Sequence, residues 1–314
     1  MHKLKRYLKL DPVVLLKKIL GYEEIYTIGI RKVGDDNSAY RCIPYNKAYW
    51  YADPLTFEYK GRCYLFTEAY DRKKSIGHIA VSAIDRKGHI SKPQVIIKEE
   101  YHMSYPYVFW WNGGIYMIPE TSANMSINLY KCVDFPYKWA LESQFGIDEV
   151  FVDANIFVTG DNELCLLGSS VNKENPLKVR YSWYNIKKNG MKYSCRHKCY
   201  GTSGWNYYDR NAGKPVNING TEYMPTQEST ETDYGVTINF RELWDVYKVG
   251  SVVDSVISVD NTRFSDGISR ENMIGVHTYS RIGDFEIIDL RYYKFSFTTN
   301  LRRIGHILCK SQFD

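Results

Sequence analysis

Three carboxylates, Asp53, Glu120 and Asp153, stand inside or at the end of apolar runs: "YWYADPLTF", "IYMIPE" and "VFVDANIFV". Two acids facing one substrate can divide a transfer reaction between them. One deprotonates an incoming hydroxyl while the other protonates a leaving oxygen. Arg210 offers a rigid, bidentate fork for phosphate or carboxylate, and Gln227, His277 and His102 can add hydrogen bonds or a proton. Tyr105, Trp111 and Tyr234 are candidate aromatic surfaces for a polar ring. Each has a structural alternative. Asp before Pro caps turns, Arg210 can bridge neighbouring elements, a lone His such as His277 can be a hydrogen-bonded core residue, and Trp111 fits a core.

These residues are far apart in sequence, so the fold must converge them. Five segments repeat one pattern: a polar opening, an apolar strand, a Gly-containing turn and an aromatic-rich strand. They are "ADPLTFEYKGRCYLFTE", "SYPYVFWWNGGIYMIPE", "DANIFVTGDNELCLLGSS", "NAGKPVNINGTEYMPTQES" and "IGVHTYSRIGDFEIIDLRYYKF". Their turns are Lys60-Gly61, Asn112-Gly113-Gly114, Gly160-Asp161-Asn162, Asn219-Gly220 and Ile282-Gly283-Asp284, residues that tolerate positive φ in hairpins. The openings recur at about 50 to 65 residues, the length of a four-stranded propeller blade. The pattern predicts an all-β, five-bladed β-propeller over residues 26–314, preceded by a short helical segment over 1–25. A β-sandwich would leave the spacing unexplained. In a ring of blades the first strands line a central channel, and Asp53, Ser104-Tyr105, Asp153, Arg210-Asn211 and His277 meet at one mouth. Glu68 and Glu120 end neighbouring strands, with Gln227-Glu228 at the matching place.

The composition agrees with a packed β protein. The 314 residues are 44% hydrophobic and include 28 Tyr, a residue that suits sheets and polar clefts alike. A net charge of +5, spread along the chain, argues against nucleic acid as a partner. The 7 Cys show no pairing rhythm, and Cys195 with Cys199 lacks a second ligand pair for zinc. Reduced thiols favour the cytoplasm. No metal-ligand pattern stands out, and "GDDN" at residues 34–37 reads as a polar turn. The N-terminal "MHKLKRYLKLDPVVLLKKILGYEE" has no signal-peptide cleavage site and is too short of apolar residues to span a bilayer. It reads as a basic amphipathic segment, for a peripheral contact at the inner face of the membrane or as a surface helix.

"YADPLTFEYKGRCYLFTEAY", "GHIAVSAI", "HMSYPYVFWWNGGIYMIPETS", "NLYKCVDFPYKW" and "RNAGKPVNINGTEYMPTQEST" followed by "DYGVTI" together resemble the five-bladed propeller domain at the N-terminus of plant glucosamine inositolphosphorylceramide transferases and its bacterial relatives. The resemblance covers roughly residues 50 to 290. More distantly, Asp53-Pro54 and the later acids are similar to arabinanase- and β-xylosidase-type five-bladed glycosidases, which use a first-blade Asp as base with an Asp and a Glu from later blades. This chain departs from that pattern: Glu120 lies in blade two, and no acid-bearing motif follows.

The resemblance implies a carbohydrate-active enzyme. A glycosyltransferase in surface-polysaccharide or glycolipid assembly would use Asp53 as base, Glu120 and Asp153 as partner acid or orienters, and Arg210, Gln227 and His277 on the donor. It implies no bound cofactor, the donor being a nucleotide sugar or lipid-phosphate sugar, and a carbohydrate or glycolipid acceptor. A glycoside hydrolase and a non-catalytic carbohydrate-binding propeller are the alternatives.

Overall fold

A computed structural model describes residues 12–190, 192–198, 210–231, 233–243, 255–265 and 267–296. One α-helix, α1 (Pro12–Ile19), precedes strands that form five sheets. The first blade runs β3 (Tyr49–Tyr59), β4 (Arg62–Asp71), β5 (Ile76–Ile84) and β6 (Gln94–Ile97). The second runs β7 (Ser104–Trp111), β8 (Gly114–Glu120), β9 (Ser126–Asp134) and β10 (Lys138–Gly146), and the third β11 (Phe151–Gly160), β12 (Glu163–Val171), β13 (Val179–Asn189) and β14 (Lys192–Lys198). In the fourth, a broken inner strand, β15 (Arg210–Asn211) and β16 (Val216–Ile218), pairs with β17 (Thr221–Glu228), followed by β18 (Thr237–Glu242) and β19 (Ser255–Ser258). The fold is an all-β five-bladed propeller.

The fifth blade differs from the sequence expectation. Its inner strands β20 (Met273–Gly275) and β21 (Tyr279–Ile282) pair with β22 (Phe285–Phe295), and the sheet is completed from the other end of the chain by β1 (Tyr22–Lys32) and β2 (Arg41–Cys42). β1 and β22 pair from Tyr22↔Phe295 to Lys32↔Phe285 without a break. The propeller therefore starts at Tyr22, inside the segment assigned by sequence to an N-terminal helix. Residues 1–11 of that segment lie outside the described residues.

Each of the five sequence turns joins the first strand of a blade to its second, with Lys60-Gly61, Asn112-Gly113 and Asn219-Gly220 all at positive φ. The core lies between blades rather than inside any one of them. Separate apolar clusters fill the gaps between blades one and two (Phe66, Met103, Met117), two and three (Tyr107, Leu129, Leu166), four and five (Ile238, Val276, Ile288) and five and one (Ile28, Leu65, Ile287). The smallest, between blades three and four, holds Leu167, Met224 and Leu243. Inner strands buried on both faces explain the unbroken apolar run of β7.

Candidate functional site at the channel mouth

The inner strands of the first three blades share one irregularity. Pairing with the second strand skips between Ala52 and Leu55, between Ser104 and Tyr107, and between Val152 and Asn155. At each bulge one residue adopts positive φ: Asp53 at 50°, Tyr105 at 44° and Asp153 at 50°. A bulge re-aims a side chain out of the alternation of the strand. Here it turns Asp53 and Asp153 toward the mouth. In blades four and five the inner strand breaks at the same level, leaving Arg210 and His277 there.

Atom to atom, these side chains form one connected chain. His277 Nε2 lies 3.6 Å from Asp53 Oδ1, and its ring meets the edge of Tyr234 at 5.5 Å. The Arg210 guanidinium lies 4.7 Å over the Tyr234 ring and donates from Nε to Asp153 Oδ2 at 2.6 Å. The Asp153 N–H donates to Glu120 Oε2 at 3.3 Å, and Gln227 Nε2 donates to Asp153 Oδ2 at 3.2 Å. The geometry thus brings together Asp53, Glu120, Asp153, Arg210, Gln227, Tyr234 and His277. Arg210 is also the bridge between blades three and four, so its structural alternative and its place at the mouth hold together.

Asp53 is buried yet well bonded. Its carboxylate accepts from the Tyr105 N–H at 3.0 Å and from Thr278 Oγ1 at 3.1 Å. Burial pushes its pKa up to about 6, opposed by His277 and helped by Asp289 and Asp153. Burial and the Asp153 charge push Glu120 up to about 8, with Arg210 opposing. Glu68, behind Asp53, is raised by burial and then by Asp53 and Glu120. Against the burial that would discharge it, Asp289 holds His277 above its ordinary value. The mouth carries acids in two protonation classes beside a permanent cation, which is what acid–base transfer requires.

Asp289, on β22, escaped sequence reasoning. Its carboxylate accepts from the backbone N–H groups of Asp53, His277 and Thr278 and from His277 Nδ1 at 2.6 Å. It fixes the ring so that Nε2 points at Asp53. Asp53, His277 and Asp289 each offer a buried ligand atom within 4.8 Å of the others, close enough to share a cation. A lone acid within the apolar "EIIDLRYY" was the signal that could have found it.

A second feature is an arc of rings along the mouth. Tyr26 leans at a tilt against His277 at 4.9 Å and against Trp50 at 5.0 Å. Trp50 lies parallel to Tyr70 at 4.2 Å, and Tyr70 reaches His102 at 6.0 Å. Tyr26, Trp50, Tyr70 and His102 are half-buried, offering edges and faces rather than a sealed core. Nothing in the sequence separates these residues from the other aromatics. His102 ends this arc instead of joining that connected chain: Nδ1 accepts from the Gly77 N–H, and Nε2 stands 3.4 Å from Glu68.

Two expected aromatic surfaces are placed elsewhere. Tyr105 is 1% exposed and points down the channel, where its hydroxyl donates to Asn155 and accepts from the Gly213 N–H at 2.9 Å. It bolts three blades together and has no face for a ligand. Trp111 is buried at the far end of its strand in the core between blades two and three. Trp111 follows from strand direction, since the far end of an inner strand is carried away from the mouth.

Residues 41–255 match the family described as glucosamine inositolphosphorylceramide transferase 1, N-terminal. Glucosamine inositolphosphorylceramide transferase 1 of Arabidopsis thaliana is 29% identical over 204 residues, which make up 61% of this chain and 25% of that protein. The Oryza sativa subsp. indica protein of the same name is 29% identical over 196 residues, 59% of this chain and 25% of its own. The matched part is thus a quarter of the length of these relatives. Among solved structures, β-1,2-mannobiose phosphorylase from Listeria innocua aligns with a TM-score of 0.47 at 10% identity, covering 88% of this chain and 99% of that one. An exo-1,5-α-L-arabinanase from a bovine ruminal metagenomic library aligns at 0.45 and 11% identity, covering 79% and 95%.

Proposed function

We propose, from the premise that the chain belongs to the glucosamine inositolphosphorylceramide transferase 1 N-terminal family, that its channel mouth binds a carbohydrate and transfers a glycosyl group from a phosphate-activated donor. The observation that carries this reading is the pairing of Asp53, poised near 6, with the Asp153–Arg210 ion pair on the same rim. Asp53 is the base that takes the acceptor hydroxyl's proton, its charge supported by Tyr105 N–H and Thr278. Arg210, anchored at Nε and stacked on Tyr234, presents its remaining amino edge to the departing phosphate. Glu120, protonated at neutral pH, and Gln227 orient sugar hydroxyls. The arc of Tyr26, Trp50 and Tyr70 supplies stacking surface for the ring.

Hydrolysis is the second reading, favoured by Glu120, an acid that stays protonated near an ionised Asp53. Against it, Arg210 at the opening of blade four ties up Asp153 in an ion pair, a cation that hydrolysis by two carboxylates does not call for. The test is binding and turnover together. Calorimetry should show nucleotide sugars binding and Arg210→Ala weakening them by about tenfold or more. Asp53→Asn should leave binding intact and abolish transfer to an added acceptor. Release of reducing sugar from aryl glycosides, lost in Asp53→Asn, would replace transfer with hydrolysis. Oligosaccharide binding unchanged by Asp53→Asn, Glu120→Gln and Asp153→Asn, without turnover, would leave a binding domain.

A further inference from the structure

Beside the mouth, helix α1 and the residue after it hold three large apolar side chains out in solvent. Lys17 faces inward: its Nζ donates to the Glu271 carbonyl and lies 5.1 Å over the Tyr293 ring. Leu16, Ile19 and, just past the helix, Leu20 are 54%, 65% and 50% exposed. A surface helix ordinarily buries its apolar side. The patch continues onto the sheet, where exposed Phe295 meets Tyr22 at 5.6 Å, and then to exposed Tyr45. Tyr45 is clasped by cations: Lys294 Nζ lies 4.2 Å over its ring and Arg72 donates to its hydroxyl at 2.6 Å. Exposed Lys73 and Lys74 follow on the β4–β5 turn.

We propose that this face rests in the interfacial region of an anionic bilayer. An apolar helix side edged by Lys, Arg and Tyr matches the headgroup boundary, where apolar groups enter the acyl edge and cations meet lipid phosphates. Acidic neighbours do not spoil the match, because Glu23 is paired with Arg72 and Glu24 with Arg291. The contact is peripheral, since no described helix is long and apolar enough to cross a membrane. The face adjoins the ring arc: Arg72 opens the turn just after β4, two residues past Tyr70, and Tyr22 lies four residues from Tyr26 on β1. The membrane would therefore lie beside the mouth, and an acceptor sugar carried on a lipid could enter without leaving its leaflet. That last consequence rests on the carbohydrate reading above; the membrane contact does not.

The experiment is co-sedimentation of the full chain with sucrose-loaded vesicles of phosphatidylcholine containing about one third phosphatidylglycerol. Because no sugar acceptor is present, the result is independent of the chemistry at the mouth. The expected result is partition into anionic vesicles, reduced about tenfold or more by the double change Ile19→Gln, Leu20→Gln. Lys73→Glu with Lys74→Glu should weaken binding and flatten its dependence on anionic lipid. Asp53→Asn should bind vesicles as the wild type does. Failure to sediment, or partition indifferent to the Ile19/Leu20 change, would overturn the proposal. So would a dimer seen by light scattering that the same double change dissolves, which would assign the face to a second copy of the chain.

Discussion

Asp53, Tyr105 and Asp153 hold a backbone conformation that L-residues with large side chains seldom adopt, and the first two do so directly before a proline, where extended geometry is favoured. Such positions cost about 1 to 3 kcal/mol each and persist where surrounding contacts dictate them. Here the contacts are the cross-blade bonds from Tyr105 N–H to Asp53 and from Asp153 N–H to Glu120. Glu120 makes a second energetic statement. Its carboxyl ionises near pH 4.5 in the unfolded chain but only near 8 in the folded one. Below the lower value both states are protonated and nothing is lost. As pH rises toward 8 the unfolded state ionises first and stability declines, levelling off above 8. Glu120→Gln, whose amide can still accept the Asp153 N–H, removes that decline. Thermal melts from pH 5 to 8.5 should show the variant gaining on wild type by about 1 to 3 kcal/mol, or a few degrees, at the alkaline end. A constant difference across that range would mean that Glu120 titrates normally. The sequence displayed Asp53, Glu120 and Asp153 because each interrupts an apolar run. It hid the aromatic arc, since Trp50 and Tyr70 meet only through strand pairing, Trp50↔Tyr70 across β3 and β4.

At the scale of the element, the inner strand is the working part. It is straight enough to line a channel and bent at one level to aim its side chain at the mouth. In blade four the bend falls at Gly213, whose φ of 136° is open chiefly to glycine. A Cβ there would lie 1.9 Å from the Tyr279 carbonyl oxygen of the adjacent blade. Around it, Tyr279 N–H donates to the Ala212 carbonyl at 2.6 Å and Asn155 Nδ2 to the Gly213 carbonyl at 3.0 Å. Gly213→Ala should cost about 2 to 4 kcal/mol, read as a lowered midpoint in urea with an unchanged slope. Wild-type stability in that variant would disprove the close approach of blades four and five. Gly-containing turns made the blades readable, because positive φ leaves a mark in composition. The bulges left none: Asp-Pro, Tyr-Pro and Asp-Ala share no residue pattern that announces one.

The molecule as a whole is a ring, and its one seam is the β1–β22 ladder in blade five. Sequence reading found five modules but gave the last no outer strands, because the strand that completes it lies at the opposite end of the chain. Pairing between Ile28 and Asp289 has no local signature. The seam also sets the mouth, since it holds Tyr26 of β1 beside His277 and Asp289 of blade five. A chain beginning at Val33 should lose cooperative unfolding, and a peptide of residues 12–32 added in trans should restore it. Cooperative melting of the shortened chain alone would show that the ladder is dispensable.

That seam imposes an order on biosynthesis. Blades one to four can each form as the ribosome delivers them, but β1 leaves the exit tunnel before all of them and its partner β22 after them. At roughly 5 to 20 residues per second, the strand waits from about ten seconds to a minute for β22 to appear. Throughout that interval an edge rich in Ile and Tyr stands unpaired, the kind of edge that invites association with other chains. Nascent-chain aggregation in vivo should therefore peak in arrested lengths ending just before Phe285 and fall once Phe295 has emerged.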